Sequence, residues 1–355
     1  MTLHCGRYRG QHAGRALAGR KTVLKFVAST FVAGGLLAAS VMAHAADRVV
    51  LRFGSPVPLS DIIKLGFNPW IDDIARDSDG ILEIKTIYSV VDHAHAYDAT
   101  INRIVDMSWV IMGPYAGQFP RSAVAALPFE GGSGYATSIA LWHLYETGLI
   151  APEFSKIKLL GLFSYPSSGF HTEVAVNSLS DLKGLKLGLT GRTLGELAAA
   201  LGATPITMTP ADWYASLQRG VIRGVLTAWP AIRAYKLDEV AHFHLDGPFG
   251  RAPAFVFMNS AAYAALPDKA KKAIDGESGV KLSAQLGTVV DRLEAEGRDY
   301  AKSHGQDVSA LTPTQAAEWR QRAEPIISQW VHSTPDGDKI LAAYRADYQT
   351  ALESR

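Results

Sequence analysis

Three side chains that could coordinate a metal ion lie close together in the sequence. His242, His244 and Asp246 alternate along one short segment, so they would share one face of an extended strand. Imidazole and carboxylate groups are common zinc ligands, but a zinc site needs a fourth ligand or a supporting motif. The sequence offers neither at a typical spacing. It therefore predicts a polar strand face here, and it predicts no bound metal and no other cofactor.

The sequence contains none of the common catalytic or nucleotide-binding motifs. It has no G-x-S-x-G, no H-E-x-x-H, no P-loop and no G-x-G-x-x-G. The single cysteine, Cys5, lies in an N-terminal segment that we expect to be removed, so the mature chain has no thiol nucleophile. These observations favour a binding protein over an enzyme. An exported hydrolase with an unrecognised carboxylate pair is the alternative from another class, and product formation would distinguish it.

The N-terminus has the three parts of a secretory signal peptide. Residues 1–25 carry six basic side chains and no acidic one, residues 26–41 are apolar or small, and Ala43-His44-Ala45 is a small-x-small cleavage site. A membrane anchor is the alternative, but the apolar run is short for a span of about 20 residues and rich in Ala, Gly and Ser. We therefore predict a signal peptide at 1–45, cleavage near Ala45 and a periplasmic protein.

Removal of residues 1–45 changes the charge of the chain. The full sequence has a net charge of +1, whereas residues 46–355 carry 29 basic and 34 acidic residues, a net charge of −5. No basic stripe remains to neutralise phosphates, which argues against nucleic acid as a partner. No second apolar segment approaches the length of a membrane span, so we expect that the mature protein is not embedded in a membrane.

Strands and helices alternate twice along the mature chain. Apolar or alternating runs predict strands at 49–54, 81–87, 105–112, 157–163, 173–176, 185–189, 221–228 and 254–258. Amphipathic helices lie between them, including one at 194–201, and the sequence is mostly helical after Pro267. The fold class is therefore α/β, with two α/β units followed by a helical tail. Two such units with a cleft between them could close around a small ligand.

Two helix starts are marked by capping residues. Thr209 precedes Pro210, and a threonine N-cap before a proline at the first helical position is a typical start. Thr312 and Gln315 form a capping box around Pro313. The helix that begins there carries Trp319 and Trp330, and Pro325 is expected to kink it.

Several ordered segments resemble the extracytoplasmic solute-binding proteins of tripartite ATP-independent periplasmic (TRAP) transporters, the DctP-like family. The resemblance covers essentially the whole mature chain. Its segments are LRFG at 51–54, VDM at 105–107, FP at 119–120, LPF at 127–129, LSDLKGLKL at 179–187, LGATP at 201–205, WYASLQRGVI at 213–222, Asn259 and LP at 266–267. The segment at 179–187 is the most specific of these.

The resemblance implies a periplasmic binding protein fold with two lobes, hinge strands and a long helix across both lobes. The first lobe would comprise residues 46–170 with a return segment at about 254–310. The second lobe would comprise residues 171–253 with C-terminal helices at about 311–355. The resemblance also implies ligand capture by closure and delivery to the membrane subunits of a TRAP permease, without ATP. A periplasmic sensor that feeds a signalling receptor would have the same fold.

The chain departs from the family where the ligand is usually held. The family places an arginine after the Lys-Leu of the 179–187 motif, and this arginine grips a substrate carboxylate. Gly188 stands at that position here, and Ser168 stands at a second position that is often basic or polar. Arg192 follows four residues later beside a helix N-terminus, where it could replace the missing guanidinium; a solvated loop arginine is the alternative.

Ten positions make up the predicted ligand site. Thr227 falls where the family offers a polar side chain, and Trp229 would lie on the same strand face as an aromatic wall. Because the arginine is absent, we expect a small organic acid with an apolar or aromatic body rather than a compact dicarboxylate. The predicted contacts are His93, Met112, Tyr115, Ser168, His171, Gly188, Arg192, Pro210, Thr227 and Trp229.

Overall fold

The computed structural model describes residues 48–89, 91–115 and 117–355. The predicted signal peptide and its cleavage site lie outside these residues. Within the described part, no helix combines the length and the apolar character needed to cross a membrane.

Eleven strands lie in the described part of the chain and form two sheets. They are β1 (Val49–Ser55), β2 (Leu82–Tyr88), β3 (Met107–Ile111), β4 (Ile157–Ser164), β5 (Ser168–Thr172), β6 (Lys186–Leu189), β7 (Thr204–Thr207), β8 (Gly224–Ala228), β9 (Phe243–Asp246), β10 (Pro253–Asn259) and β11 (Asp307–Ala310). The first sheet has the order β2-β1-β3-β10-β4, and the second has the order β11-β9-β5-β8-β6-β7.

Twelve α-helices in the described residues cover these sheets. They are α1 (Asn68–Asp77), α2 (Ala96–Ile101), α3 (Gly134–Glu146), α4 (Leu179–Leu182), α5 (Arg192–Ala200), α6 (Trp213–Gln218), α7 (Ala231–Ala234), α8 (Ser260–Ala264), α9 (Asp268–Gly276), α10 (Val280–Ser303), α11 (Pro313–Ser333) and α12 (Gly337–Glu353). The result is the predicted two-lobed α/β fold, with each sheet at the centre of one lobe.

The first lobe contains the parallel strands β1, β2 and β3, and β10 returns antiparallel between β3 and β4. These strands are near-continuous apolar runs because helices cover both faces of the sheet. In the second lobe β6 is parallel to β7 and β8, and β5 is antiparallel to β8 and β9. The chain passes between the lobes at 165–167, the first crossing, and at 247–252, the second crossing.

Two long helices contact both lobes. Leu286 and Val290 of α10 belong to the core of the first lobe, whereas Ala301 near its end packs with Trp229 of the second lobe. In α11, Trp319 lies in the core of the second lobe and Ile327 in that of the first. The capping box of α11 is confirmed, since the backbone N–H of Gln315 donates to the Thr312 hydroxyl and the Gln315 amide oxygen accepts from the N–H of Thr312.

Some sequence predictions need correction. The predicted strand at 173–176 is wrong, because β5 lies just before it, at Ser168–Thr172. The Thr172 hydroxyl donates to the carbonyl of Val174, and this contact ends the strand in a turn. Thr209 does not cap a helix through its side chain; its hydroxyl donates to the Asp212 carboxylate, and a 3-10 turn at Pro210–Asp212 precedes α6.

The C-terminal part of the chain is distributed between the lobes. The sequence places residues 311–355 with the second lobe, yet α12 packs on α3 of the first lobe and contributes Tyr344 to its core. Strand β11, which falls within the return segment assigned to the first lobe, pairs with β9 of the second. The helix α11 continues through Pro325 as one helix.

Candidate functional site

Trp109, in the middle of β3, is the buried centre of an aromatic group in the first lobe. The ring of Tyr165, at the first crossing, is stacked on Trp109 with 6.5 Å between ring centroids and an angle of 16°. The edge of the His93 ring contacts Trp109 at a centroid distance of 4.9 Å. The backbone N–H of Ile111 donates to His93 Nδ1 at 3.3 Å, so the neutral ring carries its proton on Nε2. Burial lowers the pKa of His93 to about 4, which keeps the ring neutral at pH 7.

Gly188 of β6 borders an apolar cluster in the interior of the second lobe. A Cβ atom at Gly188 would lie 2.7 Å from Ile222 Cδ1, 3.2 Å from Trp213 Cδ1 and 3.3 Å from Met208 Sδ. These three side chains therefore occupy the space beside the strand, and they allow little more than a glycine there. The surroundings of position 188 are therefore apolar, and the glycine supplies no cationic side chain.

A tyrosine of the second lobe, Tyr235, lies near Tyr165 at the first crossing. The rings of Trp213 and Tyr235 meet edge to face at 5.4 Å, and Tyr235 is 38% exposed. Burial and, to a lesser extent, the neighbouring hydroxyl of Tyr235 raise the pKa of Tyr165 to about 12. The indole N–H groups of Trp109 and Trp213 are buried and have no acceptor among the described residues. The arrangement offers apolar ring faces together with neutral hydrogen-bond donors.

Four of the predicted site residues lie together near the ends of β5 and β8. Ser168 pairs with Ala228 in the sheet, and the ring of His171 contacts Trp229 edge to face at 5.1 Å. His171 Nε2 lies 3.2 Å from the carbonyl oxygen of Thr227. The indole N–H of Trp229 donates to Asp246 at 3.0 Å, and the ring is fully buried.

Other predicted residues lie in different surroundings. Met112 and Tyr115 are in the core of the first lobe, where the Tyr115 hydroxyl accepts from the backbone N–H of Tyr97 at 3.1 Å. Arg192 is the first residue of α5, its side chain is 78% exposed, and it donates to Glu196 at 2.6 Å. Pro210 opens the 3-10 turn before α6.

The three candidate metal ligands, His242, His244 and Asp246, have separate hydrogen-bond partners. His244 contacts His171, with 3.0 Å between the two Nδ1 atoms, and Asp246 accepts from Trp229. His242 contacts the side-chain oxygen of Gln306 at 3.0 Å. No group of three or more potential metal ligands is found among the residues that the structure describes.

Sequence reasoning missed several residues that the structure brings to the lobe boundary. Trp213 and Tyr235 were hidden because aromatic residues at helical positions are usually core residues. Glu294 carried a usable signal, since a carboxylate interrupts the apolar stripe of Leu286, Val290 and Leu293 on a predicted helix.

Comparison with known proteins identifies the family. The model of the family described as "Bacterial extracellular solute-binding protein, family 7" (DctP) matches residues 53–333. The chain belongs to this family. The resemblance drawn from the sequence motifs is thereby confirmed, and the chain is also similar to solved structures of TRAP solute-binding proteins.

Two solved TRAP solute-binding proteins and one other relative are similar over almost their whole length. A TRAP solute-binding protein from Rhodoferax ferrireducens T118 in complex with copurified benzoate has 29% identity and a TM-score of 0.80, covering 86% of this chain and 99% of that one. A marine metagenome TRAP protein specific for aromatic acids, in complex with 3-hydroxybenzoate, has 27% identity and a TM-score of 0.79 with the same coverage. The Comamonas testosteroni protein named outer membrane transporter protein TsaT is 24% identical over 323 residues, which are 88% of this chain and 95% of that protein.

Proposed function

We propose that this DctP-family protein captures a small aromatic acid in the periplasm and delivers it to the membrane subunits of a TRAP permease. The observation that carries the proposal is the group of aromatic residues near the boundary of the lobes, where Tyr165 is stacked on Trp109 and Tyr235, which packs on Trp213, lies near Tyr165. A flat ring can stack on the half-buried ring of Tyr165 and the exposed ring of Tyr235, whereas a compact dicarboxylate would cover less of them. The two solved relatives bound to benzoate and 3-hydroxybenzoate support the same ligand class.

The acid group of the ligand would be held by side chains that donate hydrogen bonds. Arg192 supplies the only formal positive charge among the ten predicted positions at pH 7, because His93 is held neutral. Its exposure leaves the side chain free to exchange Glu196 for a ligand carboxylate on closure. His93 can donate from Nε2, and Thr227 can donate from its hydroxyl. Gly188 has no side chain, and this allows Trp213 and Met208 to pack closely against β6.

The proposal places the protein outside the cytoplasm after removal of residues 1–45, and it assigns binding rather than catalysis to the site. The mature N-terminus should be Ala46 or a close neighbour. Intact-mass measurement of the protein from a periplasmic extract tests this, and a mass that includes Met1 or Phe26 would contradict it.

A thermal-shift and calorimetry series tests the ligand class. Benzoate and 3-hydroxybenzoate should stabilise the protein. Benzyl alcohol, which lacks the acid group, and succinate, which lacks the ring, should stabilise it less. Loss of a charged hydrogen-bond partner costs about 1.5–3 kcal/mol, so Arg192→Ala should weaken benzoate binding about tenfold to a hundredfold.

Arg292 provides a matched control, because it forms the same exposed i,i+4 pair with Glu296 on α10. Arg292→Ala should leave benzoate binding unchanged. Stabilisation by succinate alone, with no response to Arg192→Ala, would show that the proposed ligand class and the role of Arg192 are both wrong. Small-angle scattering with and without ligand tests closure, and equal radii of gyration with binding confirmed would argue against it.

A further inference from the structure

A buried arginine joins the segments that connect the lobes. Arg251 lies in the second crossing, and its side chain has 0% exposure. Its guanidinium donates to Ser164 Oγ at 3.2 Å and to the carbonyl oxygens of Tyr165 at 3.3 Å and Gly132 at 3.1 Å. It also pairs with Glu294 of α10. A buried guanidinium requires such partners, because a charge without them is strongly disfavoured in the interior.

Glu294 connects both crossings to the long helix. Its Oε1 atom accepts from Arg251 and also from the backbone N–H of Ser167, in the first crossing, at 2.8 Å. The carboxylate is 4% exposed. One side chain of α10 therefore contacts both of the irregular segments that connect the lobes.

Arg298, one helical turn further along α10, extends this network into the second lobe. Its guanidinium lies 3.7 Å from Glu294 and donates to Asp246, at the end of β9, at 3.2 Å. It also lies over the ring of Trp229 at 5.7 Å, and the Trp229 N–H donates to the other oxygen of Asp246. The side chains of Arg298 and Asp246 are each 28% exposed, so the pair is largely shielded from water.

Helix α10 is held close to the second lobe at this level. A Cβ atom at Gly297 would lie 2.9 Å from Trp229 Cβ and 3.1 Å from the Trp229 backbone oxygen. The helix backbone and the end of β8 are therefore in direct contact beside Arg298. A change in the angle between the lobes must alter this contact or the contacts of Glu294 with the crossings.

We propose that Arg298 and Asp246 form a hinge bridge that sets the balance between the open and closed arrangements, and so act as positioning residues for ligand capture. Arg251 and Glu294 are the fixed part of the hinge, because they are buried and bonded to both crossings. The Arg298–Asp246 pair is the adjustable part, since its partial exposure lets water replace either partner. This inference rests on the proposed function for its ligand-binding readout, but the bridge itself is independent of the ligand's identity.

The bridge is formed in an arrangement of the lobes in which Tyr235 of the second lobe lies near Tyr165 at the first crossing. Loss of the bridge should therefore favour the open arrangement and weaken binding. Arg298→Met keeps most of the side-chain stem and removes the charge. We expect an increase in the dissociation constant for benzoate of about five- to tenfold, which is typical of coupling between a conformational change and a site. The increase should lie in the dissociation rate, because a ligand that enters the open form meets the same surfaces.

A double-mutant cycle separates the bridge from a merely structural effect. Asp246→Asn retains an acceptor for the Trp229 N–H and should weaken benzoate binding to a similar extent as Arg298→Met. The double variant should be no weaker than either single variant, because both changes remove one interaction. Arg298→Lys should restore part of the affinity, and Arg292→Met on the same helix should have no effect. Additive losses, or an Arg298→Met variant equal to Arg292→Met, would overturn the inference.

A ligand-free measurement distinguishes failure of the bridge from failure of the proposed ligand. The only cysteine is Cys5, within the predicted signal peptide, so spin labels can be placed at Asp72→Cys in the first lobe and Gln218→Cys in the second. Arg298→Met should shift the distances measured by pulsed electron paramagnetic resonance toward the open population, and Arg292→Met should not. If benzoate does not bind the wild type but this shift is seen, the ligand class is wrong and the bridge stands. Unchanged distances in Arg298→Met would refute the bridge.

Discussion

Two buried histidines should make the protein sensitive to mild acid. The Nδ1 atoms of His171 and His244 are 3.0 Å apart, and His171 Nε2 faces the carbonyl oxygen of Thr227. A carbonyl can only accept, so His171 carries its proton on Nε2 and His244 donates from Nδ1 to His171. His244 Nε2 is then unprotonated, and it has no partner among the described residues. A second proton on His244 would create a buried charge on an atom without an acceptor.

The pKa shifts set the size and sign of the effect. Burial lowers the pKa of His244 to about 4, and burial together with His244 lowers the pKa of His171 well below its usual value. Both rings are neutral in the folded protein at pH values where the unfolded chain, with a histidine pKa near 6.5, takes up protons. Stability is therefore complete above about pH 6.5 and falls as the pH decreases toward 4. The slope is at most about 1.4 kcal/mol per pH unit for one site, so His244 alone accounts for roughly 2 kcal/mol between pH 6.5 and 4.5.

Urea unfolding at pH 7, 6, 5 and 4.5 measures this dependence. The His244→Gln variant removes one of the titrating groups, so its unfolding free energy should fall less steeply with decreasing pH than that of the wild type. The comparison uses the slopes, because the substitution also changes the stability at pH 7. His332 on α11 is exposed, and His332→Gln should keep the wild-type slope. A His244→Gln variant with the wild-type slope would refute the linkage between these buried rings and stability.

Two further predictions concern packing and buried charge. Gly287→Ala would place a Cβ atom 2.7 Å from the Tyr135 Cα of α3. The strain from this contact should exceed the gain in helix propensity of about 1 kcal/mol, so the variant should be less stable than the wild type. Gly195→Ala, where the nearest contact is 3.6 Å, should instead stabilise the protein in urea unfolding. Equal stabilities would contradict this. Glu130→Gln should lower the unfolding free energy by about 1.5–3 kcal/mol, because the buried carboxylate pairs with Arg320 of α11 and Arg345 of α12. An unchanged melting temperature would show that the pairs contribute nothing.

The sheets of the first lobe were predictable because their strands are buried on both faces. Residues such as those of β1, β3 and β10 form continuous apolar runs, and this signal is independent of distant parts of the chain. Strand β5 was displaced by a few residues in the sequence interpretation, because Ser168–Thr172 contains Ser, Gly, His and Thr. Its burial comes from α11, β8 and β9, which no local pattern reveals.

The candidate site was less accessible from the sequence for a physical reason. Gly188 was recognised as unusual through the family resemblance, but a glycine gives no indication of what packs against it. Trp213 and Ile222, which fill that space, come from positions 25 and more residues later in the chain. The sequence marks Glu294 as a carboxylate on the apolar face of α10, but it does not reveal its partners Arg251 and Arg298, because these are brought together only when both crossings and α10 are in place.

The path of the chain between the lobes limits which segments can be exchanged between proteins with this fold. The sheet of the second lobe takes its edge strand from 307–310, and its core takes Trp319 from a helix that continues into the first lobe. An exchange of only residues 168–246 between two relatives would transfer the sheet without β11, one of its edge strands, and without α11, which packs on it. Altered transport specificity would then have to come from point changes in the cleft, or from the exchange of both lobes together. The second lobe therefore cannot be exchanged between relatives as an independent segment of the chain.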